Sequence, residues 1–251
     1  MKFFSFLLLL VLTVTAPMAQ AADQGLKTQF HKANQAYMQG HFQQAVALYL
    51  DIAEKKGVSA NLLYNLANSY AALGRPGKAI VNYQRALRLD PGDPDIRANL
   101  TQVQKDEGLY QDDKPLLQRL IQLLSPDQWL VLALTGLVLL SALYLVSALG
   151  RFLPFAIIRS GLWGALLLLL ISLPAAVYGY HMAKYAVVVG SDVHLLLSPF
   201  KEAENVGTIK AGKLVKPGKT HNNFILVTDD SGHGGWLPRQ QIELITDLPA
   251  S

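Results

Sequence analysis

Residues 60–93 read ANLLYNLANSYAALGRPGKAIVNYQRALRLDPGD, and their spacing recurs upstream. At an offset of 34, Ala33 returns as Ala67, Asn34 as Asn68, Gly40 as Gly74, Ala45 as Ala79 and Tyr49 as Tyr83. A fixed period of this size marks a stack of like units, each a pair of helices. Ala67 and Ala79 let the two helices of a unit approach closely, because nothing larger than a methyl group lies between the backbones. Gly74 closes the turn, where a positive φ costs glycine least. Pro91 ends the second helix. The large residues Leu66, Tyr70, Tyr83 and Leu87 are left to fill the space between stacked helices.

The period and these small and aromatic positions resemble the tetratricopeptide repeat, and residues 26–107 are read as such a region. The first unit, about Leu26–Gly57, is looser, with Gly57 where the repeat has proline. The third is partial. Pro94–Glu107 supplies one helix and Gly108 keeps the offset, but Asp113 replaces the packing alanine, so this helix reads as a cap. Two full repeats are few for a solenoid, and the missing support is to be sought in the membrane, a partner or self-association. Repeats of this class hold peptides on the face made by the first helix of each pair. Asn34 and Asn68 are related by the repeat, as are Asn65 and Asn99, and their amides can grip an extended backbone through paired donors and acceptors. Ordinary solvated helix residues are the other reading. The positions that would carry a carboxylate clamp include Phe30, Asp95 and Asn99, so no such clamp is expected.

Composition sets this region in an unusual chain. Of 251 residues 51% are hydrophobic and 16% charged, and mean hydropathy is +0.24. That imbalance points to membrane segments. The net charge of +4 does not mark a nucleic-acid binder. Residues 22–128 carry 12 Lys/Arg against 11 Asp/Glu, and residues 185–251 carry 6 against 7. The excess rests on Lys2, Arg151, Arg159 and Lys184, each beside an apolar run, whereas a phosphate-neutralising face belongs to a folded domain. The absence of cysteine excludes disulfides, thiol chemistry and a c-type haem.

Residues 1–21 have Lys2, an apolar core and Ala19-Gln20-Ala21, the layout of a secretory signal; an uncleaved anchor is the alternative. The uncharged runs 129–150 and 160–180 are long enough to cross a hydrocarbon layer of about 30 Å. Their connector, 151–159, holds Arg151 and Arg159 and no acid, which places it in the cytoplasm and both large domains outside. Between the repeats and the first span, residues 114–125 carry Leu116, Leu117, Leu120, Ile121, Leu123 and Leu124. These read as an amphipathic surface helix or as an extension of the span, with Pro126 arguing for a break.

After Lys184 the chain turns β-like. Tyr185–Val189, Asp192–Leu197 and Phe224–Thr228 are strand candidates, punctuated as turns by Gly212, Pro217-Gly218, Asp230-Ser-Gly232 and Gly234-Gly235. Residues 185–251 resemble the bacterial SH3 (SH3b) domain in Val206–Gly212, in Ser198-Pro199 and in Gly235-Trp236 before the last strand. The arginine and mid-domain tryptophan usual there are replaced within His194–Leu197 and by Phe224. Trp236 is read as structural in preference to ligand-binding.

The six histidines are scattered, and no nucleophile elbow, phosphate loop or metal motif is present, so no catalytic residue, metal or cofactor is expected. In order of parts, and in Leu87-Arg-Leu-Asp-Pro-Gly-Asp-Pro-Asp-Ile-Arg-Ala-Asn-Leu100, the chain resembles the BatE-like proteins of the bacterial aerotolerance operon. That resemblance implies an envelope complex with von Willebrand A-domain membrane proteins and a MoxR-type ATPase. The expectation is a multidomain membrane protein: an all-α repeat solenoid, two transmembrane helices and a small all-β SH3-like barrel. It would be a non-enzymatic scaffold for protein partners, anchored in membrane lipid, or alternatively a peptidoglycan-binding accessory or sensor.

Overall fold

The computed structural model describes residues 25–109, 116–149 and 154–247; the expected signal sequence at 1–21 lies outside them. Helix α1 covers residues 25–38, and α2 (Phe42–Lys56), α3 (Ala60–Ala72), α4 (Pro76–Leu89) and α5 (Pro94–Asp106) follow. They form two helix pairs and a single last helix. Ala33, Ala45, Ala67 and Ala79 are each wholly buried, so the small positions of the repeat are where backbones meet. Gly40, Gly74 and Gly108, spaced by 34, share positive φ of +78°, +66° and +66°. Gly57 ends α2 at φ +84° without a proline. Helix α3 is capped by Ser59, whose side chain accepts from the Leu62 N–H, and α5 by Asp93. Pro91 follows the end of α4 at Leu89, and Tyr70 and Tyr83 are buried in the helical core.

Next come α6 (Leu116–Ile121), α7 (Pro126–Leu149) and α8 (Phe155–Met182). A reciprocal capping box breaks the chain between α6 and α7: Ser125 N–H donates to Gln128 Oε1 and Gln128 N–H to Ser125 Oγ. The leucine-rich segment is therefore a separate short helix, with Leu116, Leu117, Leu120 and Leu123 exposed. Helices α7 and α8 are long and apolar enough to cross a membrane. The second starts earlier and ends later than the uncharged run 160–180, so residues 155–159 are helical and only the preceding residues can connect the two. The helices pack as an antiparallel hairpin through small residues, among them Ala133, Gly136, Ala165 and Ser172. Only 11% and 17% of their most apolar windows are buried, unlike a core helix of a soluble protein.

The remainder is an antiparallel sheet of seven strands: β1 (Ala186–Val188), β2 (Val193–Leu196), β3 (Asn205–Ile209), β4 (Leu214–His221), β5 (Phe224–Thr228), β6 (Gly234–Pro238) and β7 (Ile242–Leu244). Their order is β3-β2-β6-β5-β4-β1-β7. Two turn assignments are corrected. Pro217-Gly218 lies within β4, at an irregularity in its pairing with β5 that accommodates the missing N–H of proline. Gly234-Gly235 lies within β6, where the backbone is crowded by its neighbours. A Cβ on Gly234 would meet Val227 O at 2.6 Å, and one on Gly235 would meet Leu195 Cβ at 2.8 Å. These glycines serve close strand approach rather than chain reversal.

The support missing from two repeats comes from the chain itself. Strand β1 is buried on both faces. Ala186 and Val188 join the core of the sheet, while Val187, pointing the other way, joins the helical core together with Ile245. The repeat and the sheet are thus packed together. Gly77, in the first turn of α4, permits this contact, since a Cβ there would lie 2.5 Å from Val188 O.

Candidate functional site

The four asparagines singled out by the repeat form two equivalent clusters. In the first, Asn34 Oδ1 of α1 accepts from Tyr49 Oη at 2.6 Å and from Asn65 Nδ2 at 3.3 Å. In the second, Asn68 Oδ1 of α3 accepts from Tyr83 Oη and from Asn99 Nδ2 at 3.0 Å. Asn99 Nδ2 also donates to Tyr64 Oη at 3.0 Å. Each cluster joins the first helices of adjacent units to a tyrosine on the second helix between them. The offset of 34 is therefore preserved in the hydrogen bonds as well as in the backbone.

Burial and bonding divide the work within each cluster. Tyr49 and Tyr83 are buried, so their hydroxyls need acceptors, and Asn34 and Asn68 supply them. Burial, with a smaller contribution from Tyr37, pushes the Tyr49 phenol up to about 12; burial raises the Tyr83 phenol too. All four asparagines are half-buried. Among the described residues, no partner is taken by the Nδ2 groups of Asn34 and Asn68 or by the Oδ1 atoms of Asn65 and Asn99. Each pair thus retains one amide donor and one acceptor, the two groups an extended peptide backbone displays in alternation. Asn34 also borders a cavity of about 640 Å³ between α1, the end of α2 and the start of α3, lined by Phe30, His31 and Lys56 among others.

Away from this face, the sheet meets the repeat through charge. Glu243 of β7 pairs with Lys78 and with Arg85 of α4, the latter at 3.0 Å. Arg85 also donates to Leu244 O at 2.9 Å and to Asn82 Oδ1 at 3.3 Å. Burial lowers the Arg85 guanidinium against the opposing pull of Glu243. No sequence motif announces this junction, because Arg85 and Glu243 lie in different modules far apart in the chain. The one available signal was an arginine at a helical spacing otherwise occupied by core residues.

Trp236 lies in β6, half-buried, in register with Leu226 of β5 and Leu196 of β2. His221 packs edge-on against the exposed Phe200, with ring centroids 6.0 Å apart. Among the described residues no group of three or more His, Asp or Glu is placed to hold a metal ion.

Stacked helix pairs with a polar ladder on their first helices define a helical-repeat interaction module. A tetratricopeptide-repeat family model matches residues 60–93, the α3–α4 unit. This is a non-catalytic protein-interaction motif, and no enzyme family is indicated. No curated protein matches the chain.

Proposed function

We propose that the chain is a membrane-anchored adaptor that holds an extended segment of a protein partner along the Asn34–Asn65 and Asn68–Asn99 ladder. The observation that carries this reading is the pair of unfilled donor–acceptor sets, repeated by the period of the fold. The cavity beside Asn34 would receive an apolar side chain of the same segment. The two apolar helices would span the cytoplasmic membrane, because a hairpin with so much exposed leucine surface has no stable place in water. Arg151 ahead of α8 and Arg159 near the start of α8 would keep that end of the hairpin cytoplasmic, leaving the repeat and sheet outside. The sheet would be an SH3b-like barrel, supported by Gly235-Trp236 ahead of the short turn into β7. The partners would be subunits of an aerotolerance-type envelope complex. The test is affinity purification of the full chain in mild detergent, comparing wild type with Asn65→Ala/Asn99→Ala. That variant keeps the Tyr49–Asn34 and Tyr83–Asn68 bonds and loses the donation from Asn99 to Tyr64. The adaptor reading expects protein partners of the wild type to be lost, and identical recovery by both forms would sink it.

A further inference from the structure

A second cavity, of about 590 Å³, lies where the repeat, α6 and the ends of α7 and α8 converge. Its size falls within the range of about 300–1,000 Å³ typical of small-ligand sites. Its lining is two-sided. Arg88 of α4, Arg97 of α5 and Arg119 of α6 contribute three cations, and no acidic residue is among the described residues that line it. Trp129, Tyr178 and Met182, from the ends of α7 and α8, contribute the apolar part. Among the described residues no carboxylate pairs with Arg88 or Arg97; Arg97 donates to Pro91 O at 2.6 Å.

The position of the cavity narrows its occupant. Pro126 and Met182 are the adjoining ends of the two apolar helices, and the exposed leucines of α6 lie beside them. Trp129, whose indole N–H donates to Ile121 O at 2.8 Å, and Tyr178 are residues of the kind that mark a membrane–water boundary. On the spanning reading, which this inference rests on, the cavity opens at the level of lipid headgroups. Guanidinium groups match phosphate oxygens in a planar, bidentate geometry.

We infer that this cavity holds the headgroup of one anionic phospholipid, its phosphate between Arg88 and Arg97 and its glycerol backbone against Trp129 and Tyr178. Each arginine near a lipid phosphate contributes about fivefold in affinity. Removing two should cost roughly 25-fold on the same basis.

The full chain, purified in mild detergent, is titrated with phosphatidylglycerol and with phosphatidylcholine of the same acyl chains, and bound lipid is counted by native mass spectrometry. The expected result is one tightly held phosphatidylglycerol, and a preference over phosphatidylcholine that collapses in Arg88→Gln/Arg97→Gln. Thr101→Trp, which fills the cavity without changing its charge, should abolish the same site and guards against a double variant that fails to fold. Equal binding of the two lipids by wild type overturns the inference, as does an undiminished preference in folded variants. Displacement of phosphatidylglycerol by millimolar glycerol phosphate also overturns it, in favour of a soluble anion. Alkaline carbonate extraction separates the premises. Protein released into the supernatant refutes the spanning reading itself, and protein retained in the pellet without lipid preference refutes only the headgroup site.

Discussion

The Arg85 guanidinium, at 4% exposure, lies 3.0 Å from the Glu243 carboxylate, joining the second helix of the matched repeat to the last strand of the sheet. The bond network around it is incomplete, since Arg85 Nε has no partner among the described residues. Such a pair adds little net stability over apolar residues of similar volume, but breaking it leaves a buried charge uncompensated. Glu243→Gln should therefore destabilise the chain by about 3 kcal/mol. Lys78→Met removes a partly exposed partner and should cost under about 1 kcal/mol. Chemical denaturation of the full chain in detergent distinguishes the two, and equal effects would show that Arg85 is solvated at the junction.

Gly77 tests whether the repeat and sheet stay joined. In an isolated helix Gly→Ala gains about 1 kcal/mol. Here the new methyl would lie 2.5 Å from Val188 O and 2.7 Å from Val189 Cα, both backbone atoms that cannot turn aside. Gly77→Ala should reverse the helix-propensity sign, lowering stability and uncovering to protease the face of β1 that packs on α4. A stabilised Gly77→Ala protein would mean that the two modules do not meet at this turn.

The tyrosine ladder gives a pH signature. An unfolded tyrosine ionises near pH 10, whereas Tyr49 in the fold holds its proton to about 12 and Tyr83 is raised in the same direction. Below pH 10 neither state releases these protons, so their contribution is fully present. Between pH 10 and 12 the unfolded chain releases them and the folded chain does not, so stability falls as pH rises. Tyr49→Phe/Tyr83→Phe should be less stable than wild type at pH 9, by about 1 kcal/mol per lost hydrogen bond. It should then lose stability more gently up to pH 11. Parallel pH profiles for the two proteins would show that neither phenol is shielded.

Local features were legible in the sequence because local chemistry fixes them. The period of 34 located helix pairs, small packing positions and glycine turns, since each depends on one residue type at one spacing. Strand candidates at Tyr185–Val189 and Phe224–Thr228 emerged from β-branched runs in the same way. What escaped was long-range. Val187 was readable as a strand residue, but nothing in its neighbours states that its side chain enters the helical core. Gly234 and Gly235 read as turn residues because a glycine pair looks alike whether it reverses the chain or lets strands approach. The asparagines were found through the repeat, yet their mutual bonding depends on tyrosines contributed by the intervening helices, which only the stacked arrangement brings into reach.

Within the helical hairpin, two glycines differ in what surrounds them. A Cβ on Gly136 would lie 3.2 Å from Ala165 O and Leu169 N, whereas Gly164 has nothing within 4 Å. Gly136→Leu should push α7 from α8, and Gly164→Leu should leave them in place. Because the chain has no cysteine, an engineered pair reads the spacing cleanly. A Cβ on Gly179 would be 3.1 Å from Pro126 Cβ, close to the separation of about 3.5–4.5 Å that a disulfide requires. Oxidised Pro126→Cys/Gly179→Cys protein should cross-link within one chain, as counted by free thiols. Adding Gly136→Leu should lower the yield several-fold, while adding Gly164→Leu should not. Equal yields in both backgrounds would mean that the hairpin is not held by the approach of Gly136 to the α8 backbone, and the small-residue packing described for it would be wrong.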